Sequence, residues 1–212
     1  TVNNLPNIQA NASGSTTFCL GDSVSIQATG GTSYVWSNGA TSNLVIINQS
    51  GSYSVIGTDA NGCSNGSSAI QVIVNTLPTV GIQTSGSTTF CQGNSVILTG
   101  NGANSYLWSN SSTSNSLTVT SSGTFTVVGT DANGCANTVS KTITVNNLPT
   151  VTAISIPTNA AICIGSNAIL NGAGASSYVW SGGITNGNSF APTTTTTYTV
   201  TGTDANGCVN IA

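Results

Sequence analysis

The sequence predicts an all-β protein, a tandem array of three small β-sandwich domains. Three observations predict it. Gly57-Thr58-Asp59-Ala60-Asn61-Gly62-Cys63 returns letter for letter at 129–135 and 202–208, at steps of 72 and 73 residues, and a fixed period of that size marks an array of similar domains. Short runs of alternating apolar residues are set off by turn signals at roughly the 8–12-residue spacing of a sandwich. No stretch carries a helical period.

Each repeat opens on Leu-Pro (Leu5-Pro6, Leu77-Pro78, Leu148-Pro149), and the proline bars ladder pairing at its own position. In repeat one, Asn7–Ala10 reads as the first strand. Gly21-Asp22 turns the chain into Val24-x-Ile26-x-Ala28, a half-buried alternation that Gly30-Gly31 breaks. Tyr34-x-Trp36 puts both rings on one face of the next strand. Asn38-Gly39 leads to 44–47, apolar on both faces, and Ser50-Gly51 to Tyr53-x-Val55-x-Gly57. After the Asp-Ala-Asn-Gly-Cys loop, 69–74 closes the domain. Seven short strands are expected. Repeat two follows the same order through Val96-x-Leu98, Tyr106-x-Trp108, Leu117-x-Val119, Phe125-x-Val127 and Ile143-x-Val145. Repeat three has Ile169, Tyr178-x-Trp180 and Phe190-Ala191-Pro192. Five threonines, 193–197, then precede Tyr198-x-Val200 and suit an extended strand or a glycan-bearing surface. Val2-Asn3-Asn4 matches Val145-Asn146-Asn147, so residues 1–4 read as the tail of a preceding repeat. The divisions are then 5–76, 77–147 and 148–212, the third lacking its last strand, as expected of a window cut from a longer array.

Charge is scarce: four Asp (Asp22, Asp59, Asp131, Asp204), one Lys (Lys141), and no Glu, Arg or His. Proton transfer near neutral pH relies on His or tuned carboxylate pairs, so no catalytic residue is expected and the chain does not read as an enzyme. Six singly spread Cys make no zinc site, and no cofactor or metal residue is expected. Without Lys and Arg to neutralise phosphate, nucleic acid is a poor partner. With 38% hydrophobic residues in strand patterns, disorder is excluded; no run reaches the ~18 apolar residues of a membrane span. A net charge of -3 on 21.0 kDa provides little repulsion between molecules. That suits a protein that packs side by side or sits in a filament.

Cys-x-Gly-x-x-Val/Ala-x-Ile/Leu, then Tyr-x-Trp-Ser, Gly-x-Tyr/Phe-x-Val and Thr-Asp-x-x-Gly-Cys together resemble the Ig-like repeats of giant secreted cell-surface proteins of gliding and related Bacteroidetes-type bacteria. The resemblance covers all three repeats. It implies small Ig-like β-sandwich domains stacked end to end, type IX secretion, display outside the cell on the bacterial surface, and a stalk or adhesin role. It also implies that Asp22-Ser23-Val24 resembles that group's O-glycosylation signal, with Ser23 as acceptor; repeats two and three lack it.

The six Cys (Cys19, Cys63, Cys91, Cys135, Cys163, Cys208) read as disulfides. Pairing within repeats gives Cys19–Cys63, Cys91–Cys135 and Cys163–Cys208. If the fold is Ig-like, however, those loops lie at opposite ends of a sandwich, ~20 Å apart, whereas a bridge needs Cα atoms within ~7 Å. Pairing across repeats gives Cys19–Cys135 and Cys91–Cys208, leaving Cys63 and Cys163 for repeats beyond. Both pairings remain open at this point. Neither includes the usual inter-sheet bridge, whose expected positions hold Ala28 and Val55.

Asp-x-Asn-Gly begins like a calcium loop, but one carboxylate without a downstream Glu is too few hard ligands; it reads as a turn. Trp36, Trp108 and Trp180, with Tyr34, Tyr106 and Tyr178, could form a sugar platform but read as core. Lys141 occurs in one repeat only, with no Glu to assist an isopeptide bond. Sequons at Asn11, Asn48, Asn65 and Asn110 are expected by chance in an Asn/Ser-rich chain. The junctions are too short for flexible linkers, so neighbouring repeats should touch, in a rod rising ~35–40 Å per repeat.

The expected function is therefore a structural segment of an extracellular repeat fibre or adhesin stalk. Its partners would be neighbouring repeats, with lateral self-association and surface glycans also open. The alternative is a carbohydrate-binding or spacer module appended to a secreted enzyme.

Overall fold

The structure, a computed structural model, describes residues 2–212 and is built of strands; one 3-10 turn at Ser181–Gly183 interrupts them. Repeat one forms β1 (Gln9–Ala12), β2 (Thr17–Cys19), β3 (Val24–Thr29), β4 (Ser33–Trp36), β5 (Leu44–Ile47), β6 (Gly51–Tyr53), β7 (Val55–Thr58), β8 (Ser64–Gly66) and β9 (Ile70–Asn75). One sheet has the order β1-β3-β5, and the other face is made by β2-β9-β6 and β4-β7-β8. The pairs are antiparallel except β2, which runs parallel to β9 with Thr17, Phe18 and Cys19 opposite Ile73, Val74 and Asn75. This is an Ig-like arrangement, in which the first strand passes from one sheet to the other. β-branched and aromatic residues suit its pleated surfaces.

Alternation along the strands decides what is buried. In β3, Val24, Ile26 and Ala28 point inward, and in β5 Val45 and Ile47 do so while Leu44 and Ile46 face outward. These residues pack with Ile8, Trp36, Val55 and Val72 in one cluster. Burying side chains of this size contributes about 1.5–3 kcal/mol each. Ala28 and Val55 sit inside this cluster, so apolar packing occupies the place of an inter-sheet bridge.

The first strand begins at Gln9, two residues later than the alternation suggested. Asn7 lies before it, and Ile8 plugs the core from a non-strand segment. Nine segments replace the expected seven strands, because Ser54 and 67–69 break the last two.

Repeat two forms β10 (Gly81–Thr84), β11 (Thr89–Cys91), β12 (Val96–Asn101), β13 (Ser105–Trp108), β14 (Ser116–Val119), β15 (Gly123–Thr130) and β16 (Ala136–Asn146). Here the last two strands are unbroken, giving sheets β10-β12-β14 and β11-β16-β15-β13.

Repeat three forms β17 (Thr152–Ile156), β18 (Ala168–Ala173), β19 (Ser177–Trp180), β20 (Ser189–Phe190), β21 (Val200–Thr203) and β22 (Val209–Ile211), in sheets β17-β18-β20 and β19-β21-β22. The threonine run lies in no strand, and β21 starts only at Val200. Thr196–Tyr198 stand where Gly51–Tyr53 stand in repeat one. Those residues pair with Ile70–Val72 of β9, whereas Thr196–Tyr198 lie in no strand.

The chain resolves into two compact units: Thr1–Gly81 with Gly100–Thr113 and Val127–Val139, and Ile82–Thr99 with Ser114–Thr126 and Ser140–Ala212. The first contains the cluster around Trp36; the second contains a cluster of Val151, Leu170, Trp180 and Val200. No helix among the described residues is long and apolar enough to cross a membrane.

Candidate functional site

The residues that recur in every repeat gather at two places, a cysteine junction and a proline clamp. The junction begins with the heptapeptide. Asp131 Oδ1 accepts the backbone N–H of Asn133 at 2.8 Å and of Cys135 at 2.9 Å. The Asp131 N–H donates to Cys135 O at 2.9 Å, and Gly134 completes the turn with φ 81°. The carboxylate is thus spent on its own loop, an Asx-type turn. Asp59 and Asp204 make the same pair of bonds to Asn61/Cys63 and Asn206/Cys208. Each loop thereby presents its cysteine in one fixed direction.

Of the two pairings open from the sequence, the structure has the one across repeats. Cys19, the last residue of β2, is joined to Cys135, and Cys91, the last of β11, to Cys208, each with Cα atoms 5.5 Å apart. The first bond lies wholly within the first compact unit and the second wholly within the second. Cys135 and Cys208 are fully buried (0% exposed). Cys63 and Cys163 are free; the first is half-buried and the second exposed. The parallel ladder holds the other side of each bond: Leu20 N donates to Asn75 O and Gln92 N to Asn146 O, both at 2.8 Å.

The proline clamp was not read from the sequence. Asn65 Nδ2 donates to Pro6 O at 2.9 Å, Asn137 Nδ2 to Pro78 O at 3.1 Å, and Asn210 Nδ2 to Pro149 O at 2.9 Å. The signal was present, since each Cys of the heptapeptide is followed two positions later by Asn. The clamp also explains the first glycine of the heptapeptide. A Cβ at Gly57 would collide with Ile8, and at Gly129 and Gly202 with Val80 and Val151. The segment after each proline therefore lies against its own repeat and does not swing as a linker. At Asn65 the sequon's amide nitrogen is engaged in this bond.

The aromatic residues are interior. Trp36 and Trp108 are 2% exposed and Trp180 4%. Trp36 Nε1 donates to Ser42 O and Trp180 Nε1 to Asn186 Oδ1. Tyr34, Tyr106 and Tyr178 are half-buried. Each hydroxyl donates to a carbonyl three residues back (Gly31, Ala103, Ala175) and accepts that residue's N–H. No ring is left for a sugar platform in these positions. Ser23 is exposed, and Lys141 is half-buried on β16. Among the described residues no cluster of three or more His, Cys, Asp or Glu comes together.

No protein-family model matches the chain, and no curated protein does. Among solved structures it is similar to an adhesin with which an Antarctic bacterium binds ice (15% identity, TM-score 0.39, 99% of this chain and 72% of that one). It is also similar to part of a 1.5-MDa bacterial ice-binding adhesin (16%, TM-score 0.34, 98% and 95%) and to three domains of the outer capsid protein Hoc of bacteriophage RB49 (15%, TM-score 0.32, 98% and 85%). Likeness at this level says nothing about what this chain does, which has to be read from its own junctions.

Proposed function

We propose that the chain is a structural segment of an extracellular bacterial fibre or adhesin stalk, stiffened where one repeat meets the next. One observation carries this reading: both disulfides run from the end of an edge strand in one repeat to the heptapeptide loop of the repeat after it. A bond placed there adds little to either sandwich alone but opposes bending and pulling at the junction. Disulfides persist in oxidising surroundings, which supports a location outside the cell. The resemblance to Bacteroidetes-type surface repeats supports a type IX-secreted origin, with adhesion performed at a tip or along the surface, and Ser23 as a glycan acceptor.

Lateral association fits the surface. Val35 and Ile56, 53% and 57% exposed, stand opposite each other across β4 and β7, and Leu107 and Val128 repeat the pair across β13 and β15. On an almost uncharged surface such pairs favour contact with a like surface. The alternative, a carbohydrate module on an enzyme, loses its support with the tryptophans inside the sandwiches.

Electron microscopy of native material tests the reading. Long beaded rods that become flexible on reduction are expected; compact particles unaffected by reductant would overturn it.

A further inference from the structure

We propose that the free edge of β5 in repeat one is a docking edge, and that its occupant is the same edge of a second copy, joined antiparallel into one continuous sheet. The inference rests on the lateral association proposed for the fibre and names its surface and its partner.

Hydrogen bonding defines the edge. β5 ends the sheet β1-β3-β5, with Leu44, Val45, Ile46 and Ile47 opposite Gln27, Ile26, Ser25 and Val24 of β3. Along an antiparallel pair, bonded and non-bonded residue pairs alternate. Ala28 N–H donates to Asn43 O at 2.8 Å, so Val45 and Ile47 also turn their backbone groups to β3, and Leu44 and Ile46 turn theirs away from it. The far side of β3 shows the same alternation: Ser13 N–H donates to Ser25 O at 2.9 Å, so Ser25, the residue opposite Ile46, bonds towards β1. The side chains of Leu44 and Ile46 also stand in solvent, 49% and 71% exposed.

The fold does not ask for apolar residues there. Opposite the equivalent residues Ser25, Ile97 and Ile169, the three repeats place Ile46, Thr118 and Ser189. Where repeat one has Leu44, repeat two has Ser116. Repeat one thus sets two large apolar side chains beside an open row of backbone donors and acceptors. Soluble proteins ordinarily blunt such an edge with Lys, Pro or a bulge. Leu44–Ile47 contains no charge and no proline, and its register with β3 is one-to-one throughout.

An open edge recognises a strand, and this one is complementary to itself. β1, β3 and β5 contain no charged residue, so a second copy meets no like-charge repulsion across the new contact. With the two-fold axis at Val45, Leu44 of each copy faces Ile46 of the other, and four exposed apolar side chains become two cross-strand pairs. Ile46 N–H then donates to Leu44 O of the second copy. Leu44 N–H, held within its own chain only by Ser42 Oγ at 3.3 Å, donates to Ile46 O of the second copy.

The test follows the 212-residue chain, its free Cys63 and Cys163 thiols capped with iodoacetamide, by sedimentation between ~10 μM and ~1 mM, the range of a small transient contact. A reversible dimer is expected. Ile46→Lys should weaken it at least ~tenfold. Ile46→Thr, which copies repeat two, should weaken it severalfold, and Thr118→Lys should leave it unchanged. Amide exchange reads the register: Ile46 N–H should gain protection as the dimer forms, whereas Val45 and Ile47, already bonded to β3, should not. Monomer throughout would overturn the proposal and lateral association with it, leaving the edge to a strand of another protein. A dimer without protection at Ile46, or one lost in Val35→Lys but kept in Ile46→Lys, would overturn the edge alone and leave association through the sheet faces. None of these outcomes touches the stalk reading, which depends on Cys19–Cys135 and Cys91–Cys208.

Discussion

Pulling the chain by its two ends reads the disulfide pattern as a length. The two closed loops, with sequence separations of 116 and 117, overlap, because Cys91 lies inside the first and Cys135 inside the second. With every domain unfolded, the shortest covalent path runs from the amino terminus to Cys19 and across to Cys135. It then goes backwards along the backbone to Cys91, across to Cys208, and out. That path has about 66 residue steps, or ~230 Å at ~3.5 Å per step, against ~740 Å for the fully reduced chain. Bonds within each repeat would instead leave about 80 steps, or ~280 Å. The slack in 19–91 and 135–208 cannot be drawn out at any force below bond rupture. Optical-trap extension of single molecules, before and after reductant, measures the difference. Oxidised molecules should stop near the shortest length and gain ~500 Å on reduction. A plateau near the intermediate value, or full extension without reductant, would refute the cross-junction mechanism.

Two further outcomes follow from the packing. Trp108→Ala removes a side chain 2% exposed and should destabilise by about 3–5 kcal/mol, read as a shifted urea midpoint; a change under ~1 kcal/mol would mean the ring is not core. Asn137→Ala removes the donor to Pro78 O and should cost about 1 kcal/mol. Asn137→Asp should not restore it, because a carboxylate cannot donate to a carbonyl; an Asp variant as stable as the parent would remove the clamp from the account.

What the sequence determined by itself is whatever is periodic or local. The 72- and 73-residue steps, the alternation in 24–28, the inward Tyr-x-Trp faces and the Asp-turn all follow from side-chain spacing and short-range backbone chemistry, and all are found where the pattern put them. The tertiary structure decided what depends on which distant groups meet. Cys19 has two chemically identical candidates, Cys63 and Cys135, and only the ends at which β2 and the loops emerge select between them. Asn65 looked like a sequon by its neighbours, and its amide turned out to hold a carbonyl 59 residues away. The threonine run has strand-forming residues yet forms no strand, because a β-strand's hydrogen bonds lie outside itself, on a partner that residue type alone does not provide.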